Sequence, residues 1–222
     1  MEDIRASNRE IIEYIQGLSS SFGIRRDLPP TTLFKIKKAY EARLFSECVR
    51  EVKSFLGLNL TILLCLVKNR PTCSGMLKFL RENAPRIGCA PDNLVLEKTE
   101  ELGTLENTSA FVLQPEEMPL YGTREFEKLK IMLLIFKRTT EQPFETFAYC
   151  IAHELSHIVL SSIRHPLRDN EVAVDLTAMI LGFSDIVMAG RRTSERHFGY
   201  LSDEQFCLAY DEIKRRSKII YL

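Results

Sequence analysis

An excess of charge of either sign is missing from this chain. Lys and Arg together number 30, and so do Asp and Glu, across 222 residues. That balance leaves no basic footprint, so nucleic acid is not expected as an obligatory partner. Long hydrophobic runs are missing as well. No apolar stretch approaches the roughly 18 residues needed to cross a membrane, so no membrane partner is expected. The first residues, Met1-Glu2-Asp3-Ile4-Arg5, lack the basic and apolar regions of a secretory signal. The six Cys never form a CxxC pair and fall mainly within apolar patterns, which favours reduced thiols over staples or a second metal site. The expected compartment is the cytoplasm. No internal repeat is visible. What the composition does supply is a 45% hydrophobic content over 222 residues, enough for one substantial core.

One more absence is local. Neither Gly nor Pro interrupts residues 144 to 164, and there Phe144, Phe147, Ala148, Ile151, Leu155, Ile158 and Val159 recur at three- and four-residue steps. This is the apolar stripe of a helix. On it lies His153-Glu154-Leu155-Ser156-His157, an HExxH motif in a chain with only four His. Two imidazoles one turn apart share a face, about 6 Å apart along the axis. On a helix this motif presents both rings to a zinc ion, with the intervening Glu, offset by roughly 100°, as a general base. The plain alternative is a pair of histidines capping a core helix.

A second segment bears on the choice. Pro166 suits the first turn of a new helix, and Leu167, Val172, Val174, Leu176, Met179, Ile180 and Phe183 carry a helical apolar pattern ending near Gly182. If the first helix ends near Ser162, counting up past His157 and down again puts Glu171 level with His157, and Asp175 level with His153. An antiparallel helix pair therefore sets a carboxylate opposite each histidine. One can complete a zinc tripod, and the other can accept the N–H of a ligand imidazole and fix its tautomer.

HELSH followed by NEVAVD resembles the gluzincin metallopeptidases, over roughly residues 144 to 183. The short spacing and small size look most like the compact intracellular gluzincins, including the ImmA/IrrE type that cleaves transcriptional repressors. That resemblance implies His153, His157 and Glu171 as ligands of one zinc ion, Glu154 as the base, and Asp175 as the residue orienting His153. It also implies an oxyanion donor downstream, for which His197 and Tyr200 are the candidates. Against them stands a solvated His197 and a Tyr200 packed under the last helix. Other zinc families fit worse. A metzincin needs a Gly and a third His where Leu160 and Ile163 stand, and His165 falls two residues late, in the connecting turn. Gly88-Cys89-Ala90 is only a faint echo of the peptide deformylase cysteine segment.

The rest of the chain is expected to build a single α+β zincin-like domain. Residues 1–30 form a helical arm and linker, 31–142 a backing helix and small mixed sheet, 143–183 the zinc-site helix pair, and 184–222 a C-terminal helical segment. A short helix is expected over 8 to 18, broken by Ser19-Ser20-Ser21 and Gly23. Thr31 or Thr32 can cap one long helix running from Leu33 to Phe55 and ending at Gly57. Strands are expected at Leu58 to Val67, Ser109 to Leu113 and Lys130 to Phe136. Met76 to Leu80 suggests a short helix, Pro85, Gly88 and Pro91 suggest loops, and Glu97 to Glu106 a solvated acidic face. Arg191, Arg192 and Arg196 read as a solvated turn, with a substrate carboxylate as the alternative. Ser202 and Gln205 form a capping box for a last helix, Asp203 to Ser217.

The expected activity is hydrolysis of peptide bonds in a peptide or protein substrate, with an edge strand beside the cleft pairing to extended substrate. Two other classes stay open: a regulatory zinc protein that acts by binding a partner, and a structural role for the metal.

Overall fold

The computed structural model describes residues 6–67, 78, 82, 109–115, 117–193 and 199–220. Apart from residues 78 and 82, the helix, loops and acidic face expected between 69 and 106, the Gly88-Cys89-Ala90 segment, Arg196 and His197 lie outside these residues.

Helix α1 (Asn8–Phe22) starts with a capping box, Ser7 Oγ accepting from Glu10 N–H and Glu10 reaching back to Ser7 N–H. It runs four residues beyond the expected end at 18, because Ser19, Ser20 and Ser21 do not break it. Their hydroxyls donate to the carbonyls of Ile15, Gln16 and Gly17 one turn back. The single long helix expected from Leu33 to Phe55 is two helices, α2 (Pro30–Glu41) and α3 (Phe45–Leu56). Arg43 sits in the left-handed region at φ 56°, and Leu44 N–H closes onto Ala39. The apolar periodicity survives the break because α2 folds back on α3. Tyr40 then meets Phe45, with ring centroids 6.0 Å apart. No Thr caps α2; Pro29 precedes it and Pro30 opens it.

Gly57 ends α3 in the left-handed conformation, and the chain enters strand β1 (Thr61–Val67). With β2 (Ala110–Leu113) and β3 (Lys130–Phe136) it forms a three-stranded mixed sheet in the order β1-β3-β2. The β1–β3 pair is parallel, Thr61 opposite Lys130, and the β2–β3 pair antiparallel, Ala110 opposite Ile135. Ile131 to Phe136 are all buried, which explains why the central strand reads as an unbroken apolar run. Helix α4 (Arg124–Lys128), capped by Thr123, leads into β3.

Helix α5 (Phe144–Ser162) follows and occupies the centre of the molecule, against β2 and α3. The second segment starts later than Pro166 suggests. Residues 163 to 170 are a turn, Asn170 Oδ1 accepts from Ala173 N–H at 3.0 Å, and helix α6 (Glu171–Ala178) begins there. A side-chain cap outweighs the weaker start signal of the proline. Nor does helical structure end at Gly182. A π turn (Met179–Phe183) carries α6 into α7 (Ser184–Thr193).

Gly182 has φ +101°, and a Cβ there would strike the carbonyl oxygen of Arg26 and the Phe55 ring. The linker after α1 is hung on this turn, through Arg25 N–H on Ile180 and Leu28 N–H on Gly182. The stretch Glu171–Thr193 is, among the described residues, long and apolar enough to cross a membrane, contrary to the sequence expectation, because the π turn joins two shorter runs. That window is 83% buried, so here it is a core helix. Helix α8 (Asp203–Ile220) closes the fold, with the expected Ser202–Gln205 capping box in place. Among the described residues, Cys48, Cys150 and Cys207 are free thiols.

Candidate metal centre

The site is built where α5 and α6 pass each other. His153 and His157 share one face of α5, their ring centroids 5.1 Å apart and nearly perpendicular. Glu171, in the first turn of α6, points between them. Its Oε2 lies 3.2 Å from His153 Nε2 and 3.3 Å from His157 Nε2. One ligand atom from each of the three residues falls within 4.8 Å of the others, so the cluster can hold a metal ion. The level-matching count put Glu171 opposite His157; it in fact serves both histidines, because the later start of α6 moves it along the pair.

Asp175 lies one turn further and is fully buried. Its Oδ1 is 2.7 Å from His153 Nδ1, so the ring donates Nδ1–H there. This fixes the tautomer, and the consequence decides the character of the site. A neutral His153 then turns its Nε2 lone pair toward the Glu171 carboxylate at 3.2 Å, which is repulsive unless a cation or a proton lies between. Tetrahedral coordination with bonds of about 2.0–2.1 Å sets its ligand atoms about 3.3 Å apart, so the residues present fit a small divalent ion.

The electrostatics agree. Burial by itself would lower the His153 pKa, but Asp175, Glu171 and Glu154 hold it well above the ordinary range. Burial would raise the Glu171 carboxyl, yet the two imidazoles facing it keep it far below the usual carboxylate value. Glu154 is different. Burial pushes its carboxyl up against the pull of both histidines, Glu171 adds to the rise, and a hydrogen bond from the Val112 backbone works against it. A carboxyl raised beside a polar cluster is suited to exchange a proton.

Tyr200 is 57% exposed and does not pack under α8. Its ring stacks on His153 at an interplanar angle of 18°, centroids 6.1 Å apart, and its backbone N–H donates to Asp175 Oδ2 at 2.8 Å. Of the two downstream candidates it stands at the site, while His197 lies outside the described residues. His165 sits in the connecting turn, with Nδ1 accepting from Leu167 N–H and its ring against Phe22. Arg191 is not in a solvated turn: it lies in α7 with its side chain 8% exposed, paired to Asp203 and 4.9 Å over the Phe206 ring.

Sequence reasoning missed three contributors. Tyr149 donates its hydroxyl to Asp175 Oδ1 at 2.6 Å. Its position four residues before His153 was the available signal, since that spacing shares a face. Gly199 lets the chain approach Asp175, and only its place beside Tyr200 could have marked it. The Val112 contact to Glu154 is made by backbone, which no side-chain pattern encodes. Against family models, curated proteins and solved structures alike, the chain finds no match.

Proposed function

We propose that this protein is a zinc-dependent peptidase of the gluzincin type, acting inside the cell on a peptide or protein substrate. The observation that carries it is the His153–Glu171–His157 cluster, in which both Nε2 atoms face one carboxylate oxygen at 3.2 and 3.3 Å, the donor set of a zinc site with three protein ligands. Two imidazoles and one carboxylate favour zinc over the hard, oxygen-seeking ions.

When bound, zinc would supply Lewis acidity toward the scissile carbonyl and a lowered pKa for an attacking water. The chain's own residues have separate tasks. Glu154 takes the proton of that water and delivers it to the leaving amine, a role that its buried, raised carboxyl supports. Asp175 keeps the His153 proton on Nδ1. Tyr200, whose ring stacks on His153, would serve as a donor to a developing oxyanion.

Strand β2 offers a way to hold extended substrate. Phe136 N–H donates to Ser109, so in the antiparallel register Ala110 and Val112 turn their backbone groups away from β3. Among the described residues β2 is the edge of the sheet beside α5. A peptide added there would run past Glu154.

The test is a comparison of protein N-termini in cells making wild type and Glu154→Gln. The amide keeps size but accepts no proton, so the variant should retain about one zinc per chain, as expected for three protein ligands. It should lose cleavage by about 10²- to 10⁴-fold. Equal cleavage by both forms, at equal zinc content, would remove the hydrolytic mechanism.

A further inference from the structure

We propose that Tyr149 and Gly199 are positioning residues of the metal site, holding Asp175 in place and seating Tyr200 over His153; this rests on the metal-centre reading above. Asp175 is fully buried and receives three donors. Tyr149 Oη–H and His153 Nδ1–H both reach Oδ1, at 2.6 and 2.7 Å, while Tyr200 N–H reaches Oδ2 at 2.8 Å. One carboxylate thus sets a ligand ring and anchors the segment that crosses the site. A carboxylate with its oxygens shared in this way cannot rotate without losing a buried hydrogen bond.

Gly199 makes the third of these bonds reachable. It adopts φ +87°, open only to glycine at low cost. A Cβ there would collide with Tyr149 Oη and lie 2.9 Å from Asp175 Oδ2 and 3.0 Å from Phe206 Cζ. The backbone passes this close because no side chain intervenes, and the next residue then lays its ring on His153. Behind the contact, Phe206 meets Tyr149 edge-on at 6.4 Å, and Arg191 bonds Asp203 at 2.9 Å. The start of α8 is therefore fixed to α7, and the Gly199–Tyr200 segment hangs from a rigid point.

A purely structural role for Tyr149 would be served by its ring. The hydroxyl is what reaches Asp175, so Tyr149→Phe separates packing from positioning. The full-length protein is used, in wild type, Tyr149→Phe, Gly199→Ala and the double variant. The His153 Nδ1–H proton resonance is followed in the metal-free form, and affinity for Zn²⁺ is measured by competition with a chromophoric chelator.

Tyr149→Phe should move the His153 resonance and weaken zinc binding by about 3- to 10-fold, less than the roughly 10- to 100-fold of a direct partner of a ligand. Gly199→Ala should weaken it by at least about 10-fold. The double variant should bind no worse than Gly199→Ala alone, since removing Oη removes the main collision; such non-additivity marks residues in contact. An unmoved resonance in Tyr149→Phe, or losses that simply add in the double variant, would overturn the proposal. Tyr149→Phe keeps the ring and carries the test by itself should Gly199→Ala fail to fold. Wild type that binds no zinc would sink the metal reading instead, and the resonance would still decide whether Tyr149 orients His153.

Discussion

Glu171 and Asp175 are carboxylates one turn apart on α6, yet their surroundings give them opposite tasks. Glu171 faces two imidazole nitrogens at 3.2 and 3.3 Å and is part-exposed, so its charge is available to an incoming ion. Asp175 is sealed, with its oxygens committed to Tyr149, His153 and Tyr200. Glu171→Ala should therefore abolish zinc binding, because two imidazoles are too few to hold the ion. Asp175→Asn should leave a measurable but weakened affinity, down by roughly 10- to 100-fold, since the amide can serve some of the donors but turns an N–H toward the rest. Titration of both variants with zinc checks the order. The reverse ranking would make Asp175 the ligand and contradict the geometry of α6.

The element that matters most to this arrangement is the helix running from α6 through the π turn into α7. Its first two turns present Glu171 and Asp175, and its last turn presents Arg191 to the start of α8. Gly182 is the joint, with positive φ and the Arg26 carbonyl against its Cα. Any side chain there must strain the backbone and push the α1–α2 linker off the Ile180 and Gly182 carbonyls. Gly182→Ala should destabilise the protein by at least about 2 kcal/mol, read as a lower urea midpoint at unchanged slope. Zinc affinity of the surviving folded fraction should change little, since Gly182 lies almost two turns beyond Asp175. An equal midpoint would mean that the turn tolerates a Cβ and that the close contact with Arg26 does not constrain it.

At the scale of the whole molecule, the question is how much stability rests on the site. The core is large and mostly independent of it: Ile36, Val52, Leu133, Phe147, Ile180 and Phe183 are all buried, from three different helices, the π turn and the central strand. Chelation should therefore shift the melting transition and leave it cooperative. At a zinc concentration of about 100 times Kd the ion adds about 2.7 kcal/mol, worth roughly 5–10 °C for a chain of this size. The pH dependence has a definite sign. In the metal-free protein the His153 pKa is raised by Asp175 and Glu171 over the pull of burial, so that pairing stabilises fully below about pH 6.5 and is lost as pH rises through the folded value. Zinc requires the same ring deprotonated and so binds better as pH rises. The gap between loaded and chelated melting temperatures should widen from pH 6 to pH 8; a gap that narrows would contradict the proton linkage.

Periodicity by itself determined α5, since nineteen residues without Gly or Pro and with one apolar face have no other way to bury that face. From α5 follows the pairing of His153 with His157, because spacing four on a helix is a distance in space. The bounds of β3 and the Ser202–Gln205 cap were legible for the same reason: their signals are local. What the sequence left open depends on contacts between elements. The split of α2 from α3 is favoured by Tyr40 and Phe45 meeting around Arg43, and the periodic pattern was blind to it because both halves keep the same phase. The π turn at Gly182 and the approach of Gly199 to Asp175 are likewise tertiary decisions, whereas the late start of α6 follows a local signal, the Asn170 cap on Ala173. In each tertiary case, a backbone group or a glycine is placed by what packs against it, and a hydrogen bond between segments far apart in the chain leaves no repeat for a sequence pattern to carry.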